Sequence, residues 1–386
     1  MSYLYINTEL ALANFCQQIS QDARWIAIDT EFMRTNTFFA ELSLIQIQSE
    51  QGEAAIIDPI AIPNLECLWQ LLTDKNILKV FHAARQDIEV LYQVAKRMPV
   101  SIFDTQIAAL FLGHGNLAGL SRVLDKELNI QIPKDQTRTD WNQRPLTKQQ
   151  LEYAFNDVKN LAPLYQKINQ SLNQEQQQAL LEDFADLLNP KHYQIDINKA
   201  GERIKQAKTL VPKQQAIVNT LAQWREVYAI EHNKPRKWIL SDDAIIAIAK
   251  RPPQTIQALY NVPNIKHSSV KEFGDEWLKL IDEVFLTPES WPAKTQKTKP
   301  TTSQEEVFIQ IGQAIAQQVY IDYGINQANL IKKQQLVDII RNSSTEYLIG
   351  WKKLLIAKPF QEFLNGKQVI SADPFLSLKK KTNNHV

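Results

Sequence analysis

An α/β domain with a mixed sheet, followed by all-helical domains, is the architecture that this 386-residue sequence predicts. Three observations lead there. Strand-type runs cluster before residue 85, helical spacing alternates with them up to residue 160, and beyond residue 170 the pattern is helical almost throughout. Strands first and alternating helices afterwards give a mixed sheet flanked by helices. The length exceeds one usual domain, so two or three are expected. With 44% hydrophobic and 22% charged residues the chain has the composition of a folded globular protein, which excludes disorder as the starting assumption.

The elements follow in order. WIAIDTEFM (25–33) is β-rich, ELSLIQIQ (41–48) alternates apolar and polar, and AAIIDP (54–59) is short and stops at a proline. Their short connections suggest an antiparallel meander. A helical pattern covers 64–73, a short strand LKVFH covers 78–82, and a helix over 84–95 places Ile88, Leu91 and Val94 on one face. Helical spacing returns at 104–112, 117–128 and 147–160, and Pro163 must kink or end the last of these. Residues 171–206 read as a helical connection, 213–285 as several short helices, and 304–370 as another helical group. Between the two groups, 286–306 holds three prolines with many Thr and Lys and is the best linker. The tail SLKKKTNNHV is expected to be disordered.

Several function classes drop out. No run approaches eighteen apolar residues, so no membrane span is expected. The N-terminus carries Glu9 early and lacks a basic region followed by an apolar stretch, so no signal peptide is expected. Cys16 and Cys67 have no metal-type spacing, and a reducing cytoplasm fits them. Residues 1–200 hold 17 Lys and Arg against 24 Asp and Glu; residues 201–386 hold 26 against 18. Carboxylate chemistry in the first half and polyanion binding in the second would suit that split.

The chemistry starts at Asp29-Thr30-Glu31. On a strand, residues i and i+2 project from one face, and two close carboxylates repel unless a cation neutralises them. The ordinary alternative is a strand end with two solvated acids. Asp87 lies in the first turns of a helix, where the dipole favours an anion, and could be no more than an N-terminal stabiliser. Tyr153 and Asp157 are four apart, on one face of a helix that could equally be plain amphipathic. Each piece alone is weak; their order is not.

D-x-E on a first strand, Asp on a later helix and Y-x-x-x-D on a last helix resemble the tyrosine subgroup of the exonuclease superfamily named for its four acids. IAIDTEFMR, LIQIQ, VFHAARQDIEVL, FDTQIAALFLG and KDQTRTDWNQRPLTKQQLEYAFNDVKNL with LAPLY resemble the ribonuclease D family over roughly residues 3–170. Residues 213–285 are similar to its helical HRDC module, and 304–370 to a second, more diverged copy. The resemblance implies a ribonuclease-H-like exonuclease domain at 1–170, a helical connector at 171–210 and an HRDC-like domain at 211–290. A linker at 291–303, a second HRDC-like domain at 304–372 and a tail at 373–386 complete the expected order.

It further implies 3′→5′ hydrolysis of RNA, releasing 5′-mononucleotides from substrates such as tRNA precursors, with no obligatory protein partner evident. Two divalent ions about 3.5–4 Å apart can activate water and stabilise the leaving 3′ oxygen. Carboxylate oxygens suit Mg²⁺ or Mn²⁺, and the absence of a His/Cys cluster argues against zinc. By analogy Asp29 would bridge both ions, Glu31 and Asp157 would complete the site of the water-activating one, and Asp87 would hold the second. Tyr153 would orient or deprotonate the water; with an ordinary pKa near 10, orientation is preferred.

Around that centre, Thr30, Phe32 and Met33 are expected to shape the terminal-nucleotide pocket, although Phe32 could be core. His82 is either a substrate contact or a structural histidine; Gln106 and Gln46 are either partners of the site or satisfied core amides. Lys134, Arg138 and Arg144 are candidate phosphate contacts. Trp224, Arg225, Lys234, Arg236, Lys237 and Trp238 mix cations and aromatics as RNA surfaces do, with the tryptophans better placed in a core. The rivals are a DNA 3′→5′ exonuclease of the same superfamily, since the four acids do not choose the sugar, and a catalytically silent RNA-binding scaffold.

Overall fold

The computed structural model describes residues 3–132, 139–293, 299–325, 330–371 and 377–380. In chain order the first half gives β1 (Leu4–Ile6), α1 (Glu9–Asp22), β2 (Trp25–Met33), β3 (Glu41–Ser49), β4 (Ala54–Ile57) and α2 (Glu66–Thr73). Then come β5 (Leu78–Phe81), α3 (Arg85–Ala95), β6 (Ile102–Asp104), α4 (Thr105–Ala109), α5 (Leu120–Leu128), α6 (Lys148–Ser171) and α7 (Gln174–Leu187). The six strands form one sheet in the order β1-β4-β3-β2-β5-β6. β3 and β4 pair antiparallel, whereas β1 with β4, β2 with β5 and β5 with β6 pair parallel, so the sheet is mixed as expected. Parallel pairing needs crossover helices, and α3 returns the chain from β5 to β6. β2 is central. Its first four residues, Trp25 to Ile28, are buried, which anchors the strand that carries Asp29 and Glu31 out of the core.

Two expectations are narrowed here. Pro163 does not end its helix: α6 runs on through it to Ser171. Proline removes one helical hydrogen bond, but Leu161, Ala162, Leu164, Tyr165 and Ile168 are all buried around it, and that apolar face holds the helix together. The tail is not wholly disordered either: β8 (Ser377–Lys380) pairs antiparallel with β7 (Gln368–Ser371), and Leu378 packs against an apolar cluster.

The chain forms two compact units. One takes the described residues of Met1–Met33, Leu42–Tyr193 and Pro300–Val386; the other takes those of Arg34–Glu41 and Gln194–Lys299. The second unit is built on α8 (Pro212–Glu231), α9 (Arg236–Ile239), α10 (Asp242–Lys250), α11 (Ile256–Tyr260) and α12 (His267–Leu286). Trp277, fully buried, sits at its core beside Leu221, Ile245 and Ile281. It also contains the 34–41 loop, where Phe38 is buried and the backbone N–H groups of Phe38 and Phe39 donate to Asn233 Oδ1.

The C-terminal helices belong to the first unit: α13 (Ser303–Tyr323), α14 (Lys333–Asn342), α15 (Gly350–Lys352) and α16 (Lys358–Leu364). Ala316, Val319, Trp351 and Ile356 share the apolar cluster of the sheet domain. Two acids of α7 fix the approach: Glu182 accepts from Gly350 N–H and Asp183 from Trp351 N–H, each at 3.0 Å, neutralising orphan donors at a helix start. Among the described residues no helix is long and apolar enough to cross a membrane.

Candidate active site

β2 outruns its neighbour. β5 pairs only with Trp25, Ile26 and Ala27, then ends at Phe81 and turns into α3. Residues 29–33 of β2 therefore extend past the carboxyl end of β5, into the space where the first turn of α3 begins. α6 packs across β2 from the other direction in sequence. Three elements thus converge on one strand end, and each brings an acid.

Asp29, Glu31 and Asp157 offer carboxylate oxygens that all lie within 4.8 Å of one another. Asp87, in the first turn of α3, is buried and accepts a 2.5 Å hydrogen bond from Thr30 Oγ1. It stands outside the closest trio, yet its charge acts on Glu31, and that of Asp29 acts on it. Burial drives all four above the ordinary carboxylate range, and repulsion from neighbouring acids adds to it at Glu31, Asp87 and Asp157. Asp29 is raised to about 7 by burial, against the pull of the Thr30 backbone. Asp157 rises to about 8 through burial and the Asp29 charge. Glu31 goes furthest, to about 10, by burial and then the charges of Asp29, Asp157 and Asp87. Among the described residues this is the only cluster of acids, histidines or cysteines with ligand geometry. Among the described residues no cationic side chain stands among the causes of these four shifts. A hard divalent cation with oxygen ligands fits that donor set.

Tyr153 lies one turn before Asp157 on α6. Burial, followed by the charges of Asp157, Glu31 and Asp29, raises its phenol above the ordinary value, which keeps it protonated and places its hydroxyl in the field of the same acids. Its ring packs 6.1 Å from that of buried Trp141.

The surrounding residues divide. Thr30 spends its hydroxyl on Asp87, so its contribution is to hold an acid. Phe32 and Met33 are half-buried; Met33 packs against the core, whereas Phe32 is absent from it. His82 resolves to the structural alternative: its ring nitrogens meet Thr105 Oγ1 and Ala118 O, both at 2.9 Å, and burial lowers its pKa. Gln106 Nε2 donates to the same Ala118 carbonyl at 3.0 Å, so both side chains pin that loop. Gln46 is fully buried with neither amide atom bonded among the described residues, so it is not a satisfied core amide. Lys134 and Arg138 lie outside the described residues. Arg144 is corrected: its guanidinium is engaged inside the fold by Asp58.

In the helical unit, Arg225 is buried against Leu240 O and Asp242, and Arg236 grips Glu226 while lying over the Phe38 ring; neither is a free phosphate contact. Trp224 packs on Phe273 and Trp277 as core. Lys234, Lys237 and Trp238 remain exposed.

Sequence reasoning gave Asp104 no role. Its carboxylate accepts from Ala83 N–H and Ala84 N–H, at 3.0 and 2.8 Å, holding a turn in which Ala83 has φ of 62°. A left-handed alanine is strained, and this turn launches α3 and so aims Asp87. An Asp at the start of a stretch of helical spacing, the position of a cap, was the available signal.

Residues 3–173, the span that holds Asp29, Glu31, Asp87, Tyr153 and Asp157, match the 3′-5′ exonuclease family model. Residues 214–281 match the HRDC domain. Ribonuclease D of Pseudomonas paraeruginosa is 31% identical over 90% of this chain and 94% of its own length. That of Zymomonas mobilis is 32% identical over 95% of both. The crystal structure of Escherichia coli RNase D, an exoribonuclease involved in structured RNA processing, superposes with a TM-score of 0.80 at 28% identity, covering 95% of this chain and 99% of that one. The chain belongs to the ribonuclease D family and is a 3′→5′ exoribonuclease.

Proposed function

We propose that the protein trims the 3′ ends of tRNA precursors and other structured RNA, one 5′-mononucleotide at a time, with two divalent ions held by Asp29, Glu31, Asp87 and Asp157. The observation that carries this reading is the trio of carboxylates within 4.8 Å, buried and crowded enough to be driven up in pKa. Mg²⁺ or Mn²⁺ would supply water activation and charge stabilisation at the leaving 3′ oxygen. Asp29, able to face both Glu31 and Asp87, would be shared between the two positions; Glu31 and Asp157 would complete one and Asp87 the other. Tyr153, kept protonated, orients the attacking water through its hydroxyl. Phe32 and Met33, on the same strand end, line the place of the terminal nucleotide.

The domain plan belongs to this reading: a nuclease at 1–170, a connector at 171–210, an HRDC-like module at 211–290, a linker at 291–303, a second helical module at 304–372 and a tail at 373–386. The second module is packed on the nuclease core instead of standing apart. RNA is the partner, no obligatory protein partner is required, and the compartment is the cytoplasm.

Matched 3′-extended RNA and DNA strands, incubated with Mg²⁺, test the substrate. RNA should shorten from the 3′ end to 5′-mononucleotides, EDTA should stop it, and DNA should persist. Consumption of the DNA strand in preference to RNA would transfer the reading to the DNA exonuclease.

A further inference from the structure

The 139–147 loop leads directly into the helix that carries Tyr153 and Asp157, and one side chain organises it. Arg144 donates from Nε to Asp58 Oδ2 at 2.6 Å and from Nη2 to Asp58 Oδ1 at 2.8 Å, a bidentate pair. The same guanidinium donates to three carbonyls: Ser43 at 2.7 Å, Trp141 at 2.7 Å and Gln143 at 2.9 Å. Asp58 closes β4. It also accepts from Tyr5 Oη at 2.6 Å and from the Ile60 and Ala61 N–H groups. Its side chain is 3% exposed.

The loop is tied at further points. Ser43 Oγ meets Asn142 Oδ1 at 2.6 Å. Gln150 Nε2 reaches back to Thr139 Oγ1 and the Asp140 carbonyl, both at 3.1 Å. Thr147 and Gln150 form a capping box at the start of α6. Between these ties Trp141 is buried, its ring beside that of Tyr153.

A buried ion pair is weak evidence for stability, because desolvation of the two charges offsets their attraction. Its certain effect is geometric, since a planar fork locked onto both oxygens of one carboxylate admits one orientation. Three of the five bonds run to the loop itself or to the strand beneath it, so that orientation becomes the loop's.

We propose that Arg144, held by Asp58, is a positioning residue for Tyr153: it fixes the loop that supplies the wall of the tyrosine ring and the first turn of its helix. This rests on the reading of Tyr153 as the residue that orients water. A displacement of about 1 Å in such a group can cost up to about 100-fold in rate without touching substrate binding.

The test uses the full chain with a short single-stranded RNA and saturating Mg²⁺, and reads kcat, KM and the half-saturating Mg²⁺ concentration. Arg144→Lys keeps the charge and loses the fork; Asp58→Asn keeps the volume and loses the pair. Each should lower kcat about 10-fold while KM and the Mg²⁺ requirement stay within about twofold. Circular dichroism at the assay temperature verifies that each variant is folded. In a Tyr153→Phe background, itself strongly slowed, Arg144→Lys should add almost nothing, because the two act through one group. Multiplicative losses in the double variant would overturn the proposal, as would wild-type kcat in Arg144→Lys with only a lower melting temperature. Wild-type kcat in Tyr153→Phe would instead remove the reading of the tyrosine, and the proposal with it.

Discussion

Asp29→Asn should abolish hydrolysis and, in the absence of metal, raise the melting temperature. The loss in kcat should be at least about 10³-fold, the scale seen when a group central to transition-state charge is removed. The gain in stability follows from the sign of the shifts. All four acids have folded-state pKa values above the unfolded values, near 4. The folded state therefore binds more protons than the unfolded one. The stability this contributes is full below pH 4 and is lost as pH rises, through about 7 for Asp29, about 8 for Asp157 and about 10 for Glu31. Metal-free wild type should thus melt lower at pH 8 than at pH 5, and Mg²⁺ should restore more at pH 8. At 100 times its dissociation constant a ligand adds about 2.7 kcal/mol. Asp29→Asn removes one charge from the crowd, so its metal-free melt should lie above wild type at pH 8 and respond less to Mg²⁺. Thermal melts at the two pH values, with EDTA or Mg²⁺, measure both effects. A metal-free variant melting below wild type at pH 8 would refute the electrostatic account.

Gripping of structured RNA should weaken by about 10²-fold when Lys234→Gln, Lys237→Gln and Trp238→Ala are combined. These three are the exposed remainder of the cation and aromatic group on the helical unit, and Trp238 is 49% exposed. A stacked base is worth about 1–3 kcal/mol, and each lost phosphate contact should reduce the salt slope by about 0.7–0.9. Hydrolysis of a short single-stranded oligonucleotide should change little. Side-chain replacement is a cleaner probe than deletion of the helical unit. Deletion would also strip Phe38 of the residues it packs on, in the loop that follows β2. Charge counting does not by itself favour this unit. Residues 211–290 carry 10 Lys and Arg against 10 Asp and Glu, whereas 291–386 carry 13 against 7, so the basic excess of the second half lies mostly beyond the HRDC module. Undiminished affinity and an unchanged salt slope in the triple variant would assign the surface another job.

The acids were legible because strand and helix periodicities fix which side chains share a face. D-x-E on a strand and Y-x-x-x-D on a helix show locally which side chains share a face. Each is weak alone, and Asp87 by itself reads as a helix-start stabiliser; the resemblance to the ribonuclease D family joins them. What remained hidden depended on long-range partners. Arg144 read as a loop cation because nothing local says that Asp58, 86 residues away, will meet it. Arg225 and Arg236 misled for the same reason, with Asp242 and Glu226 as their unseen partners. Of the two outcomes open at Pro163, a kink or an end, the buried residues of α6 on either side exclude the end. The short strands β1, β6, β7 and β8 escaped notice because three or four residues carry little periodicity, and β7 corrects the end of the 304–370 stretch, which reads as helical from sequence.

The central claim is that four acids hold two ions at the end of β2. Crystals soaked in Mn²⁺ and measured for anomalous scattering address it directly. The account predicts two peaks about 4 Å apart, one among Asp29, Glu31 and Asp157 and the other between Asp29 and Asp87. Strong Mn²⁺ peaks elsewhere on the molecule with none at these carboxylates would contradict it.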